Sequence, residues 1–421
     1  MLDIERGYNS FYAGVRFGAR VRLKESQYQI GDQKDRAKLY ASLEQVIGLT
    51  PLIKFDAPNG STIWAKVESE NPSESHYDRA ALATLKTLET ADLIKPGDTL
   101  IEGTSGSAGR SFAYMCNRLG YNLKILVPSE IPRARLRDME KFGATLIDVG
   151  SGGIKRVIDR HWELLQEYNK SVPRKNRKSF KLPGGKAAYV FEKDGQRVCF
   201  SNHGESLLTP QAFNAIGFEA LAQLPEGVSL DYFIGILGNG STIKGISEIL
   251  KSRFQNLQII GIEELACPTH YVRKYGEDQF EKVYGRKPIY STHELYGASV
   301  PMQEYKPPFI ELDNIDEIRL VSNYQYRTVK RDYNRSYEND WEIPMQIGNT
   351  SAACLSNARQ LATEKPGSNV FILFYDKADQ YSDWRPKSPI HEMTDAVREY
   401  QTINVWAKER EKVRKLVQQA A

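Results

Sequence analysis

The residues able to do chemistry sit where apolar runs give way to glycine and hydroxyl side chains. Residues 230–245, LDYFIGILGNGSTIKG, pass from an apolar run through Gly238, Asn239, Gly240, Ser241 and Thr242 into a helical pattern. Glycines let successive N–H groups turn into one concavity. The following helix adds its positive end and the hydroxyls add donors, so the segment suits a phosphate. Gly235 and Gly240 have P-loop spacing, but Ser241 stands where that loop needs lysine, which argues against an NTPase. A second loop, Gly103-Thr104-Ser105-Gly106-Ser107-Ala108-Gly109, has the same logic. Small residues and hydroxyls between a strand and a helix suit a carboxylate, which points to Thr104, Ser105, Gly106 and Ser107 as substrate-binding positions. Two such loops facing one crevice imply a ligand with two anionic ends.

A third strand-to-helix loop, residues 71–79, places Ser75 as a plausible helix N-cap and Asp78 near the positive end of the helix. His76 and Tyr77 stand between them. His203, in Ser201-Asn202-His203-Gly204-Glu205, is a further candidate for the crevice, whereas His161 falls in an amphipathic helix and reads as packing or surface. Cys267 and His270 form C-x-x-H with no second pair, so no metal is expected. The absence of H-E-x-x-H and G-x-S-x-G argues against zinc peptidases and serine hydrolases.

The elements that must position these residues follow from the apolar pattern. Short β-branched runs at 62–68, 99–102, 123–127, 145–149, 232–237, 257–263, 318–322 and 370–374 read as strands. Helix-length segments at 78–93, 107–119, 133–142, 154–168, 210–223 and 242–252 separate them. That alternation predicts an open α/β architecture with a mainly parallel sheet. Residues 171–188, rich in basic residues with Pro and Gly–Gly, read as an exposed loop, and 266–315 is irregular. The segment 390–421 has a helical, strongly charged pattern suited to docking on the body or on a second subunit.

Composition narrows the classes. Among 421 residues, 57 Lys+Arg against 53 Asp+Glu leave a net charge of +4, too small a basic excess to demand nucleic acid. No apolar run approaches the roughly 18 residues that span a bilayer, and Asp3, Glu5 and Arg6 lie where a signal peptide needs an apolar stretch. Four dispersed cysteines suggest no disulfide framework. A cytoplasmic protein with no membrane partner is expected.

The order of motifs resembles a family. Ile47-Gly48-Leu49-Thr50-Pro51-Leu52, then Ala65-Lys66-Val67-Glu68, Asn71-Pro72, Asp78-Arg79, TSGSAG and GNGST look like the cysteine synthase and cystathionine β-synthase family of pyridoxal-phosphate (PLP) enzymes, over about residues 46–375. The resemblance implies the fold-type-II architecture, similar to the tryptophan synthase β chain, with two open twisted-sheet α/β lobes and the crevice between them. It assigns 46–84 and 201–389 to a larger lobe and 85–200 to a smaller one, leaving 1–45 as an extension and 390–421 as a C-terminal helix. It also implies a homodimer and β-elimination or β-replacement on an amino acid. By the same resemblance Thr104, Ser105, Gly106 and Ser107 hold the substrate carboxylate, with His203 nearby. Gly238, Asn239, Gly240, Ser241 and Thr242 hold the cofactor phosphate, Asn349 faces the pyridine nitrogen, and His293 and Ser299 fall in a rim loop.

The departure lies at residue 77. The family's loop reads NPxxSxKDR, and its lysine forms the Schiff base; here that position is Tyr77. A phenol has no amine to condense and, with a reference pKa near 10, is a poor base at neutral pH. Three readings stay open. PLP binds noncovalently or through a relocated lysine, Lys66 and Lys244 being nearest in sequence. Alternatively, a PLP-independent enzyme reuses the pocket for another anionic ligand, with Tyr77, His76 and Ser105 as catalytic candidates. Or the chain is a non-catalytic binding or regulatory relative.

Overall fold

The computed structural model describes residues 36–104, 106–181, 187–299, 308–339 and 346–381. Two six-stranded sheets organise them. The first has the order β1-β2-β12-β9-β10-β11, from β1 (Leu52–Asp56), β2 (Thr62–Val67), β9 (Tyr232–Ile236), β10 (Gln258–Glu264), β11 (Glu317–Val321) and β12 (Asn369–Phe374). All its pairings are parallel except β1 with β2. The second runs β5-β4-β3-β8-β7-β6, from β3 (Thr99–Gly103), β4 (Asn122–Val127), β5 (Thr145–Asp148), β6 (Arg177–Lys181), β7 (Ala187–Lys193) and β8 (Gln196–Phe200). Parallel strands buried on both faces explain the near-continuous apolar runs such as Phe233-Ile234 and Val370–Phe374.

Helices cover both sheets. They are α1 (Arg36–Val46), α2 (Tyr77–Thr90), α3 (Ser107–Leu119), α4 (Arg133–Lys141), α5 (Gly153–Ser171), α6 (Leu208–Gln223), α7 (Ser241–Arg253), α8 (Thr269–Tyr275), α9 (Glu277–Tyr284), α10 (Asn323–Asn339) and α11 (Asn349–Glu364). Helix α2 joins the two cores. Its Ala80 packs with Ala65, Phe213 and Phe233 in the core of the first sheet, while Leu82, Leu85 and Leu88 pack with Phe112 and Leu123 in that of the second. Helix α1, inside the segment expected as an extension, adds Tyr40 and Leu43 to the second core. Its Arg36 Nε donates to Glu89 Oε1 on α2 at 2.8 Å.

The expected loop over 171–188 is corrected. Residues 177–181 are strand β6, paired antiparallel with β7 from Arg177↔Phe191 to Lys181↔Ala187. Backbone pairing overrides the basic composition, because Lys178, Ser179 and Lys181 point to solvent while Phe180 packs on the core. Helices α8 and α9 give order to part of 266–315. The tail at 390–421 and residues 1–35 lie outside the described residues. Among the described residues, no helix is long and apolar enough to cross a membrane.

Cys116, Cys199, Cys267 and Cys354 are free and buried. Burial pushes all four thiols up, those of Cys267 and Cys354 to about 12. A thiol reagent at mildly alkaline pH should therefore label none of the four in the native protein and all four in denaturant. Rapid labelling of a native thiol would contradict this packing.

Candidate active site

The carboxyl ends of β3, β8, β9, β10 and β12 open onto one cavity of about 790 Å³, where open α/β sheets place ligands. Both anion loops reach it: Thr104, Gly106 and Ser107 from one side, Gly238, Asn239, Gly240 and Thr242 from the other. His76, Tyr77 and His203 line it too. Ser105 lies outside the described residues.

A buried ion network fixes the start of α2, where His76 and Tyr77 stand. Arg79 Nε donates to Glu68 Oε2 at 2.9 Å and its Nη1 to Glu219 Oε1 at 2.6 Å, while Lys66 Nζ donates to Glu219 Oε2 at 2.7 Å. Thr50 and Asn71 donate to Glu68 as well, at 2.7 and 3.0 Å. Two cations and two carboxylates thus neutralise each other out of water. A Cβ at Gly48 would sit 2.8 Å from Glu219 Oε1, at φ +84°, so only glycine lets the chain pass this network. The shared motif residues Gly48, Thr50, Lys66, Glu68, Asn71 and Arg79 are therefore scaffold. Lys66, considered as a relocated Schiff-base lysine, is committed to this network and does not line the cavity.

Within the glycine loop the donors of Ser241 are already taken. Ser241 donates its backbone N–H and its hydroxyl to Asn239 Oδ1, at 3.0 and 2.8 Å, and Asn239 Nδ2 donates to Gly204 O at 3.0 Å. Ser241 is buried behind that amide and does not line the cavity. Burial pushes the Tyr77 phenol up, and the nearby Ser241 side chain partly opposes this. His76 Nε2 and Thr242 Oγ1 are hydrogen-bonded at 3.2 Å. Burial lowers His76 to about 4, so its ring is neutral at neutral pH. Backbone crowds the loop from behind: a Cβ at Gly238 would meet Gly297 O at 1.9 Å.

These residues do not fit PLP held as an aldimine. Tyr77 offers no amine, and among the described residues no lysine lines the cavity. Lys244 instead lies 3.9 Å from Glu311. Asn349 also departs from its expected place. Its Oδ1 accepts from Lys330 Nζ at 2.9 Å, its Nδ2 donates to Glu294 O at 3.3 Å, and it does not line the cavity.

At the second loop, Gly106 N donates to Thr104 Oγ1 at 3.1 Å. Ser107 Oγ donates to Asp376 Oδ2 at 3.0 Å, and Arg135 Nη2 reaches the same oxygen at 3.1 Å. Asp376, just beyond β12, thus ties the two sheets together across the cavity wall. Also in the cavity lining, His203 Nδ1 lies 2.7 Å from Glu102 Oε2. Burial would raise the Glu102 carboxyl, but His203 and the hydrogen bonds from His203 and Ser201 reverse this and hold it below the usual range. Burial raises Glu264, at the end of β10, to about 8, so this lining carboxyl is neutral. Sequence reasoning missed Glu102 and Asp376, which pair with residues far along the chain, and read His161 as packing or surface although it lines the cavity.

Buried polar atoms on cavity-lining residues that have no hydrogen-bond partner among the described residues include His76 Nδ1, His161 Nε2, His293 Nδ1, Ser299 Oγ and Tyr326 Oη. Buried polar groups are seldom left so, and a bound water or polar ligand is the usual partner. The Cys267–His270 pair has other partners, His270 with Glu263 and Cys267 with Thr269.

The sequence profile of the family described as "pyridoxal-phosphate dependent enzyme" matches residues 43–282. Cysteine synthase B of Escherichia coli (strain K12) is 30% identical over 353 residues, covering 81% of this chain and 94% of that protein. Cysteine synthase of Staphylococcus aureus is 29% identical over 231 residues; that match spans 54% of this chain and 66% of the relative. Among solved structures, a hydrogen sulfide-producing enzyme from Fusobacterium nucleatum superposes with a TM-score of 0.65 at 22% identity, over 85% of this chain and 95% of that one. An O-acetylserine dependent cystathionine β-synthase from Helicobacter pylori gives 0.62 at 24%, over 80% and 96%. These structural likenesses establish a shared two-lobed α/β fold.

Proposed function

Because the chain belongs to the pyridoxal-phosphate dependent enzyme family, we propose that it is a cysteine synthase-like enzyme that holds a small carboxylate by hydrogen bonds and works without a Schiff base. One observation carries this reading: both small-residue loops, Tyr77 and His76 line one cavity that no described lysine lines. An aldimine pocket needs the reverse, an amine at its centre. The carboxylate docks at Thr104, Gly106 and Ser107, where the α3 N-terminus supplies N–H groups and positive charge. Tyr77 and neutral His76 close the opposite wall, and both can exchange hydrogen bonds with an uncharged part of the ligand.

The test is incubation with PLP followed by an absorption spectrum, borohydride reduction and peptide mass mapping. We expect no aldimine band and no reduced adduct on any peptide of the cleft. A lysine adduct there would sink the proposal and name the relocated lysine. A protein that binds small carboxylates yet turns over no amino acid offered would favour the non-catalytic reading instead.

A further inference from the structure

Helix α5 turns one face to the cavity. Its residues 153, 154, 157, 158, 161 and 162 all line it, the three- and four-residue spacing of a single helix stripe. The remaining face is charged and pairs within itself: Lys155 Nζ lies 2.6 Å from Asp159 Oδ2, Arg156 Nη1 2.9 Å from Glu163 Oε1 and Arg160 Nη1 2.7 Å from Glu167 Oε1. The apolar face of such a helix ordinarily closes on its sheet, and part of this one does. Val157 and Leu165 share a core with Phe191 and Phe200, Ile154 packs against it, and a Cβ at Gly103 would meet Val157 Cγ1 at 2.6 Å. Ile158 and Trp162, four residues apart on the flank of the stripe, belong to none of the three cores. Of the large apolar side chains exposed among the described residues, Trp162, at 40%, alone lines the cavity. Ile131 and Pro132, buried just before α4, line it too. Gly152 N, at the head of α5, donates to Glu130 Oε1 at 2.8 Å and so ties that turn to the stripe. The lining supplied by strand ends of the first sheet is polar by contrast, with Glu264, Ser322, Asn323 and Asp376.

We propose that this flank of α5 is an apolar subsite of the cleft, and that the ligand carries an apolar end, longer than a methyl group, which seats on Ile154, Ile158 and Trp162. Eight residues at about 1.5 Å each set Ile154 and Trp162 roughly 12 Å apart along the helix, so a short group would leave most of the subsite in water. Water gains no hydrogen bonds from these side chains, and its release drives the seating. Trp162, at the far end of the stripe, is the specificity-determining residue, because only a long apolar group reaches it. The subsite names the other end of the substrate proposed above. It does not depend on the carboxylate loop, so uncharged probes test it alone.

The test titrates the full chain, with ¹³C-labelled isoleucine methyls and ¹⁵N-labelled tryptophan indoles, with 1-propanol, 1-butanol, 1-pentanol and 1-hexanol. Ile158→Val and Trp162→Phe assign the two signals. The Ile158 methyl and the Trp162 indole should move together, at one dissociation constant for each alcohol, and affinity should rise roughly fourfold with each methylene. Trp162→Ala should bind 1-hexanol roughly tenfold more weakly, Ile158→Ala should weaken it too, and Trp162→Phe should keep most of the affinity. Phe218→Ala, which removes an exposed ring outside the cavity, should bind as wild type. Thermal midpoints of the Trp162 variants should match wild type, because the ring belongs to no core. Signals that stay still, an affinity indifferent to chain length, or a loss as large in Phe218→Ala as in Trp162→Ala overturns the proposal. So does an affinity that Trp162→Ala and Ile158→Ala both leave unchanged. Failure of the carboxylate site would alter none of these readings, because the alcohols carry no charge.

Discussion

Arg79→Met should lower the unfolding free energy by about 3–5 kcal/mol, the cost of removing one partner from a buried ion network. The Arg79, Glu68, Glu219 and Lys66 side chains are at most 4% exposed. Without Arg79, Lys66 alone faces two carboxylates that water cannot reach. Chemical denaturation of wild type and variant, with equal slopes, measures the loss. A change below about 1 kcal/mol would mean that water enters the network. Glu219→Gln placed on top of Arg79→Met should recover part of the loss, because it removes one uncompensated charge. The pH dependence has a definite sign. Burial would raise the Glu219 carboxyl, but Arg79 and then Lys66 overcome it and hold it at about 2. Glu68 is lowered by the same balance, with Arg79 dominant. Depressed carboxyls stabilise fully above their unfolded value, near 4.3, and that contribution is lost as pH falls from there toward 2. The variant should lose less stability across that window than wild type.

This network shows why the motif order was legible in the sequence and its meaning was not. Lys66, Glu68, Asn71 and Arg79 repeat a recognisable spacing because one buried arrangement requires all of them, so they report the scaffold and leave the chemistry open. The strands β2, β3, β4, β9, β10 and β12 were readable because parallel strands covered on both faces must be continuously apolar. The β7–β8 hairpin had a signal that composition hid. Asp194-Gly195, with φ of 53° and 76°, is the Asp-Gly turn of a two-residue hairpin, flanked by Val190-Phe191 and Val198-Cys199. The basic stretch before it drew attention to charge instead.

Both glycine loops were legible because only a few residue types can point consecutive N–H groups at one spot. What occupies those groups was not. Asn239 satisfying Ser241 depends on a side-chain rotamer, and Glu102 meeting His203 depends on two strand ends brought together across 101 residues. Neither leaves a periodic trace in the sequence.

The occupied Ser241 donors give the second large effect. Asn239→Ala should raise the affinity of the cleft for inorganic phosphate roughly tenfold to a hundredfold, by titration calorimetry. In wild type an incoming anion must displace Asn239 Oδ1 from the Ser241 N–H and hydroxyl. Two hydrogen bonds at about 0.5–1.5 kcal/mol each set the size of that barrier, and each 1.4 kcal/mol is a tenfold change in affinity. Asn239 is not among the residues with positive φ, so alanine fits the backbone there. The ligand-free variant should be less stable than wild type, because Ser241 loses its acceptor and Gly204 O loses its donor. Phosphate should restore the midpoint of the variant in proportion to the logarithm of its concentration, and should scarcely move that of wild type. Equal phosphate affinities in the two proteins would mean that the Ser241 donors do not face the cleft even when uncovered. The loop would then be a packed turn between β9 and α7, and the anion end of the ligand would belong to Thr104–Ser107 alone.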